Sequence, residues 1–401
     1  MTDIAADSPA ARPLIRFEKG RTRRFRAGHP WAFSNEIAMT PEAKALPPGS
    51  LVTLVDAGDE RLGVATFNPH SLIAVRLLDR DAGRTVDAAF LAERLGAALA
   101  LRQALYDRPF YRLVHSEADR LPGLVVDRYG DTLAVQTNSA GMQRLIPDLL
   151  EAFDRVLAPA TVVLKNDSPV RRLEGLEPEH RVLKGEPAGP VELVENGVRF
   201  LADLAEGQKT GWFYDQRDNR AFVARLARGR RVLDVYTYAG GFAVQAAVAG
   251  ATEVTAVDRS ESSLALAERS AALNGVAVRT VRAEAFAELA RLDAAGERFG
   301  VVVCDPPAFV KSKKDLASGA KGYRKMARLA APLVEAGGFL FCASCSHHMP
   351  AAQFAEEIAH GIHLAGRSGR ILNSAGAAPD HPVHPWLPES AYLKGLMLQL
   401  D

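Results

Sequence analysis

The sequence predicts an α/β protein in three blocks: a small β barrel or sandwich, an α+β middle block, and a C-terminal parallel sheet. Three observations carry this. Past Gly207, strand-like apolar runs alternate with helical segments, which implies parallel strands joined by right-handed crossovers. From Leu14 to about Arg80 the chain reads instead as short strands separated by turn clusters. Between them lie a helix-period segment and hairpin signals that fit neither pattern. The 401 residues exceed one domain, at roughly 150 residues per domain. Blocks at 12–80, 81–205 and 206–401 are therefore expected.

Taken in order, Ser50–Val55 is a strand candidate ahead of the turn Asp56-Ala57-Gly58-Asp59, and strands over Leu62–Asn68 and Leu72–Leu78 follow. Leu91, Leu95, Ala98, Leu101 and Leu105 recur at helical spacing, which predicts a helix over Asp87–Tyr106. Strands at Leu124–Asp127 and Thr132–Thr137 join through Tyr129-Gly130-Asp131. A helix from Gly141 to Val156 and a strand at Thr161–Lys165 come next. A hairpin over Val191–Leu204 turns at Asn196-Gly197, a pair that accepts positive φ at both central turn positions. The last block has strands at Arg231–Val235, Glu253–Val257, Ala277–Arg282, Gly300–Cys304 and Gly338–Ala343. Its clearest helices are Ser260–Asn274 and Gly322–Glu335.

Composition excludes several classes. Hydrophobic residues at 48% and charged residues at 24% are globular values, not those of a disordered or coiled-coil chain. No apolar run reaches the ~18 residues of a membrane span, and Met1 to Ala11 lacks an apolar signal core. Three cysteines build no disulfide framework, so a reducing, cytoplasmic setting is expected. The net charge of +1 hides a segment: residues 12–35 carry seven basic side chains against one acid. Arg21, Arg23 and Arg24 lie at its centre, interleaved with Phe17, Phe25, Trp31 and Phe33. This is a candidate footprint for a phosphate backbone, with aromatics able to stack on bases or fill a β core.

In the last block a buried strand runs through Asp234, Val235 and Tyr236 into Ala239-Gly240-Gly241-Phe242. Ligands of open α/β sheets bind beyond the carboxyl ends of strands, where this loop lies. Gly240 and Gly241 permit close backbone approach. Asp258 ends the next strand, 18 residues after Gly240, at the spacing of an acidic residue that takes ribose hydroxyls. The dinucleotide and P-loop patterns are absent, so a nucleoside without pyrophosphate fits, and S-adenosylmethionine is the common one. Glu284, after the third strand, is suited to an adenine amino group.

Two further loops carry chemistry. In Asp305-Pro306-Pro307-Ala308-Phe309 the prolines aim a carboxylate that can meet a base amino group or ring nitrogen, and Phe309 either stacks on a flipped base or joins the core. In Cys342-Ala343-Ser344-Cys345-Ser346-His347-His348, Cys342 falls inside an apolar run, whereas Cys345 lies beyond it in a polar context, as a nucleophilic thiolate would. With no second ligand pair, zinc on this stretch is not expected.

These motifs resemble the bacterial 23S ribosomal RNA cytosine-C5 methyltransferases, which join an N-terminal PUA domain, an α+β middle domain and a Rossmann-like class I methyltransferase domain. The resemblance rests on Gly28-His29-Pro30-Trp31, Val170-Arg171-Arg172-Leu173-Glu174-Gly175, the run from Lys209 through Asp215-Gln216-Arg217 to Arg220, and the Asp234 loop. It extends to Asp305-Pro306-Pro307, Ser344-Cys345-Ser346, Asp380-His381-Pro382 and Tyr392-Leu393-Lys394-Gly395. It implies that Asp234, Tyr236, Gly240 and Phe242 line the methionine end of the cofactor. Asp258 would hold the ribose, Gln216 and Arg220 would lie near cofactor and substrate, and Cys345 would be the nucleophile. The family usually has Asp where Glu284 stands. The PUA-like block would bind 23S ribosomal RNA or a partly assembled large subunit, and similar proteins imply a homodimer. In that chemistry Cys345 attacks C6 of cytosine, Asp305 serves N3, and C5 takes the methyl group. Two-cysteine relatives place a second Cys where this chain has Pro307, which leaves the group that resolves the adduct unassigned.

Other readings stand beside this one. Methylation of an exocyclic or ring nitrogen of a purine would use the Asp-Pro-Pro loop without a cysteine, although Ala308 separates Pro307 from the aromatic residue. A small-molecule methyltransferase leaves the basic segment without a role. A non-catalytic RNA-binding factor leaves Asp234, Asp258, Asp305 and Cys345 together without one.

Overall fold

The computed structural model describes residues 7–187, 189–204 and 210–401; Lys209 and the expected boundary at 205–206 lie outside them. The chain forms two compact units. The first takes residues up to Gly189, Leu204–Trp212 and Asp380–Pro388. The second takes Pro190–Asp203, Phe213–Pro379 and Glu389–Asp401.

The first unit holds two five-stranded sheets. One runs Leu14–Arg16, Ser50–Val55, Arg61–Phe67, Val75–Asp79, Trp31–Ala32 from edge to edge. Ile15, Val52, Leu54, Phe67 and Val75 close its core together with Phe17 and Phe25. Those two rings, offered above as possible stacking partners for bases, are each 1% exposed and belong to the core. The strand expected over Leu72–Leu78 starts only at Val75, because the chain turns at Asn68–Ser71 and leaves Leu72 in solvent.

The other sheet runs Glu179–Lys184, Thr161–Asn166, Thr132–Thr137, Leu124–Tyr129, Phe110–His115. The helix Ala88–Leu105 starts on Asp87, whose carboxylate accepts the Phe90 N–H at 2.8 Å. Phe90, Leu91, Leu95 and Ala98 pack on this sheet, but Leu101 and Leu105, of the same heptad-like series, face water. The single helix expected from Gly141 to Val156 is two, Ala140–Arg144 and Ile146–Val156, because Pro147 has no N–H to carry the ladder on. One buried carboxylate ties the two sheets. Glu174 accepts from Asn68, Ser71 and Arg76 at 3.1 Å each, and from the Ala140 N–H at 3.3 Å.

The second unit opens with the expected hairpin, Val191–Glu195 against Val198–Ala202, with φ of 52° at Asn196 and 81° at Gly197. The hairpin was placed in the middle block above, yet it packs within this unit: Leu201 N–H donates to Ser270 and Arg199 N–H to Asn274. The seven-stranded sheet comprises β1 (Arg231–Val235), β2 (Glu253–Asp258), β3 (Arg279–Arg282), β4 (Phe299–Cys304), β5 (Val334–Ser344), β6 (Gly369–Ala375) and β7 (Lys394–Leu400). Their order is β3-β2-β1-β4-β5-β7-β6, with β7 antiparallel to both neighbours and β1 to β5 parallel.

Helices α1 (Arg217–Ala227), α2 (Gly241–Val248), α3 (Glu261–Leu273), α4 (Ala285–Ala294), α5 (Leu316–Ala330) and α6 (Ala351–Leu364) cover both faces. Val235, Val302 and Leu340 bury against Tyr323, Met326 and Phe354 on one face, and Val232, Val301 and Phe341 against Val223 and Phe242 on the other. Two-sided burial is why β1 and β4 read as unbroken apolar runs. The helix expected over Gly322–Glu335 sits earlier, and Pro332 closes it in a 3-10 turn so that Val334 already begins β5.

Candidate active site

The loop from β1 to α2 is the most strained segment of the sheet's carboxyl edge. Tyr236, Tyr238 and Gly240 have φ of 66°, 50° and 81°. For non-glycine residues this left-handed conformation costs of order 1 kcal/mol or more each, and it persists where surrounding contacts enforce it. Here the N–H groups of Tyr236 and Thr237 both donate to the Val257 carbonyl, and that of Tyr238 donates to Asp258. The loop is thereby pinned to the end of β2.

Asp234 lies beneath it. Its Oδ2 accepts from Thr237 Oγ1 at 2.5 Å and from the Ala243 N–H at 3.0 Å. Its Oδ1 is buried with no hydrogen-bond partner among the described residues. Burial pushes this carboxyl up to about 6, against the opposing charge of Arg220. A buried acceptor with open lone pairs asks for a donor, and a ligand ammonium or amide satisfies it. Asp258 receives one backbone N–H on each oxygen, Tyr238 at 3.0 Å and Ser260 at 2.9 Å, which fixes its plane and leaves lone pairs for hydroxyl donors. Glu284 is exposed and caps α4, accepting the Ala287 N–H at 2.9 Å.

Both glycines are also required by tight packing. A Cβ on Gly240 would stand 2.7 Å from that of Ala267, and one on Gly241 would stand 2.5 Å from Arg220 Nε. The room they leave is taken by α3 and by Arg220, not by open space. Phe242 turns its ring into the core, 5.3 Å from that of Phe341. Phe309 is partly buried and packs on the edge of the core, 4.8 Å from the Tyr323 ring and 6.1 Å from that of Phe286.

Asp305 follows β4. Gln216 Nε2 donates to its Oδ2 at 2.8 Å, and Asn219 in turn donates to Gln216 Oε1 at 2.6 Å, which fixes the amide's orientation. Burial, together with the charges of Asp215 and Asp234, pushes the Asp305 carboxyl up to about 7. It can therefore hold or release a proton near neutrality. Arg220, which opposes that rise, is held by an ion pair to buried Glu195 at 2.7 Å.

Cys345 follows β5 and is partly accessible, whereas Cys304 and Cys342 are buried and burial pushes both thiols up. The flanking serines are locked. Ser344 Oγ donates to Tyr323 Oη at 2.7 Å, and Ser346 Oγ lies 2.8 Å from the same phenol. Ser346 Oγ also accepts the Val310 N–H at 3.1 Å, joining the cysteine loop to the Asp305 loop. Sequence reasoning missed Lys394, whose Nζ donates to the Ser346 carbonyl at 2.6 Å, and Tyr392, whose hydroxyl donates to Asp215 at 2.6 Å. Both lie in a stretch quoted only as a motif, and no spacing rule links them to residues some 50 or 180 positions earlier.

In the first unit the basic segment is thinner than its formal charge. Arg12, Arg16, Arg24 and Arg26 are paired with Asp7, Asp59, Glu36, and Asp56 with Glu60, respectively. Arg24 also lies over the Phe33 ring, 4.4 Å from its centroid. Lys19, Arg21 and Arg23 are exposed, with no acidic partner among the described residues. No helix among those residues is long and apolar enough to cross a membrane.

Comparison with known proteins follows the same lines. A PUA-like domain model matches residues 15–80, and an S-adenosylmethionine-dependent methyltransferase model matches residues 172–380. The ribosomal RNA large subunit methyltransferase I of Erwinia tasmaniensis is 36% identical over 384 residues, covering 94% of this chain and 96% of that protein. A ribosomal RNA large subunit methyltransferase of Deinococcus radiodurans is 36% identical over 411 residues, covering 99% and 100%. Among solved structures, a putative SAM-dependent methyltransferase from Streptococcus mutans shares the fold at a TM-score of 0.79 and 20% identity, covering 96% of this chain and all of that one. The orphaned Asp234 oxygen and the open lone pairs of Asp258 are compatible with the S-adenosylmethionine that the family model names. At this identity over nearly its whole length, the chain belongs to the S-adenosylmethionine-dependent methyltransferase family of the ribosomal RNA large subunit methyltransferases.

Proposed function

We propose that this enzyme methylates C5 of a cytosine in 23S ribosomal RNA through a covalent adduct of Cys345. The observation that carries this is the joint placement of two groups. A partly accessible thiol and a carboxyl that titrates near 7 sit on loops tied together by Ser346 and Val310. Asp234 would hold the methionine ammonium and Asp258 the ribose. When bound, S-adenosylmethionine supplies an electrophilic methyl group on a sulfonium.

The chain's own residues do the rest. C5 of cytosine is a weak nucleophile. The Cys345 thiolate forms an Sγ–C6 bond, and the C5–C6 π pair moves onto C5 as Asp305 protonates N3. C5 would then take the methyl group that the bound cofactor supplies, with the methyl–sulfur electron pair staying on the cofactor's sulfur. Loss of the C5 proton to a base returns the pair to the C5–C6 bond and expels the thiolate, and N3 gives its proton back to Asp305. A base inside a duplex cannot reach such a pocket, so an unstacked nucleotide is the substrate. The exposed Lys19, Arg21 and Arg23 would anchor phosphates.

The test is methyl transfer to purified large-subunit RNA by wild type and Cys345→Ala, with the product nucleoside identified by mass spectrometry. 5-Methylcytidine from wild type and none from the variant are expected. Full activity of the variant, or an N-methylated purine, would refute the reading.

A further inference from the structure

We infer that Lys394 is the positioning cation that keeps Cys345 as a thiolate and receives it again when the adduct breaks. This rests on Cys345 being the nucleophile, but it is measured independently of turnover. The argument begins with strand register. β7 runs antiparallel to β5 with Ser344 opposite Lys394, so the lysine stem starts beside the last residue of β5. Its ammonium then reaches the Ser346 carbonyl at 2.6 Å, spanning the backbone on either side of Cys345. One of its three N–H donors is used there, leaving two.

The side chain is half-buried, so desolvation pulls its titration down, and Cys345 opposes that as the charge acting on it. Titratable groups near the thiol among the described residues include Tyr323 of α5, whose phenol is pushed up by burial and locked between Ser344 and Ser346, and His347, whose ring lies tilted 5.1 Å from that of Tyr392. Lys394 is a cation fixed at this loop by its bond to the Ser346 carbonyl.

An ordinary thiol of pKa ~8.5 is only a few per cent thiolate at pH 7, and a neighbouring cation raises that fraction. When the Sγ–C6 bond forms, negative charge leaves sulfur and the ion pair lapses. When the bond breaks, the pair re-forms, and the same ammonium stabilises the leaving group. A lysine serves this better than a residue with a planar fork, because a compact point charge can bond the carbonyl and face the sulfur together.

The experiment measures the rate of Cys345 alkylation by iodoacetamide against pH, read by peptide mass spectrometry, in wild type, Lys394→Gln and Lys394→Arg. In wild type the midpoint should lie at least about one unit below the ordinary thiol value. Lys394→Gln should return it to that value, and Lys394→Arg should restore part of the shift. Methyl transfer by Lys394→Gln at pH 7 should fall at least tenfold and recover as pH rises. A wild-type midpoint at the ordinary thiol value overturns the inference even if the variants do not fold, and so does an unchanged midpoint in a folded Lys394→Gln. If Cys345→Ala remains active while the midpoint is depressed, the nucleophile reading fails and the ion pair stands.

Discussion

The Gln216 side-chain amide donates to Asp305 across 89 positions of sequence, at 2.8 Å, and favours the charged form of a carboxyl that burial pushes toward the neutral one. Removing this donor with Gln216→Ala should raise the Asp305 titration further. A hydrogen bond to a charged group is worth about 1.5 kcal/mol, or about one pH unit. In the proposed mechanism protonated Asp305 is the working form, so the alkaline limb of the kcat/KM profile should move up by up to that amount. An unmoved limb would detach Asp305 from the rate.

Asp305 also sets a stability trend. Its folded titration near 7 lies above the ordinary 3.8, so the folded state binds an extra proton between those values, and stability falls as pH rises through that window. Asp305→Asn removes the penalty. The variant should melt a few degrees higher than wild type at pH 8, with the gap closing toward pH 4, while losing at least about 100-fold in methyl transfer. Thermal scans at several pH values, together with an RNA methylation assay, check both halves.

Gly241→Ala would press a Cβ to 2.5 Å from Arg220 Nε and strain its ion pair with Glu195. A loss of about 2–4 kcal/mol in denaturant unfolding is expected. Weaker S-adenosylmethionine binding by calorimetry should accompany it, because α2 carries the Ala243 N–H that Asp234 accepts.

Among the arginines of the basic segment, position decides effect. Replacing Lys19, Arg21 and Arg23 with Ser should lower RNA affinity and reduce the salt slope by about 0.7–0.9 per lost phosphate contact. Arg24→Ser should leave that slope nearly unchanged, since Arg24 is already committed to Glu36. Binding titrations at several salt concentrations distinguish the two.

Much of this fold is legible in the sequence. Periodicity located β1, β2 and β4 because two-sided burial writes an apolar run, and the Asn196-Gly197 turn announced its hairpin. The Asp234, Asp258 and Asp305 positions at strand ends followed from the same logic. What escaped has a common cause, dependence on partners distant in sequence. Phe110–His115 reads poorly as a strand because Arg112 interrupts it, yet that arginine pairs with buried Asp127 at 2.6 Å. The roles of Phe242 and Phe309 turned on which side of a loop the core lay. Charge counting could not see that Arg16 and Arg26 meet acids some 30 to 45 residues on.

The strand order carries one more implication, for the order of assembly. β6 precedes β7 in the chain but touches the sheet only through it. During synthesis β6 emerges with no edge to join, and β5 stays an open edge until β7 arrives between them. The thiol loop at the end of β5 is therefore completed late, by nearly the final segment of these residues to leave the ribosome. A chain stalled before Lys394 would carry Cys345 without the strand that braces its loop, and would expose two unpaired edges prone to association.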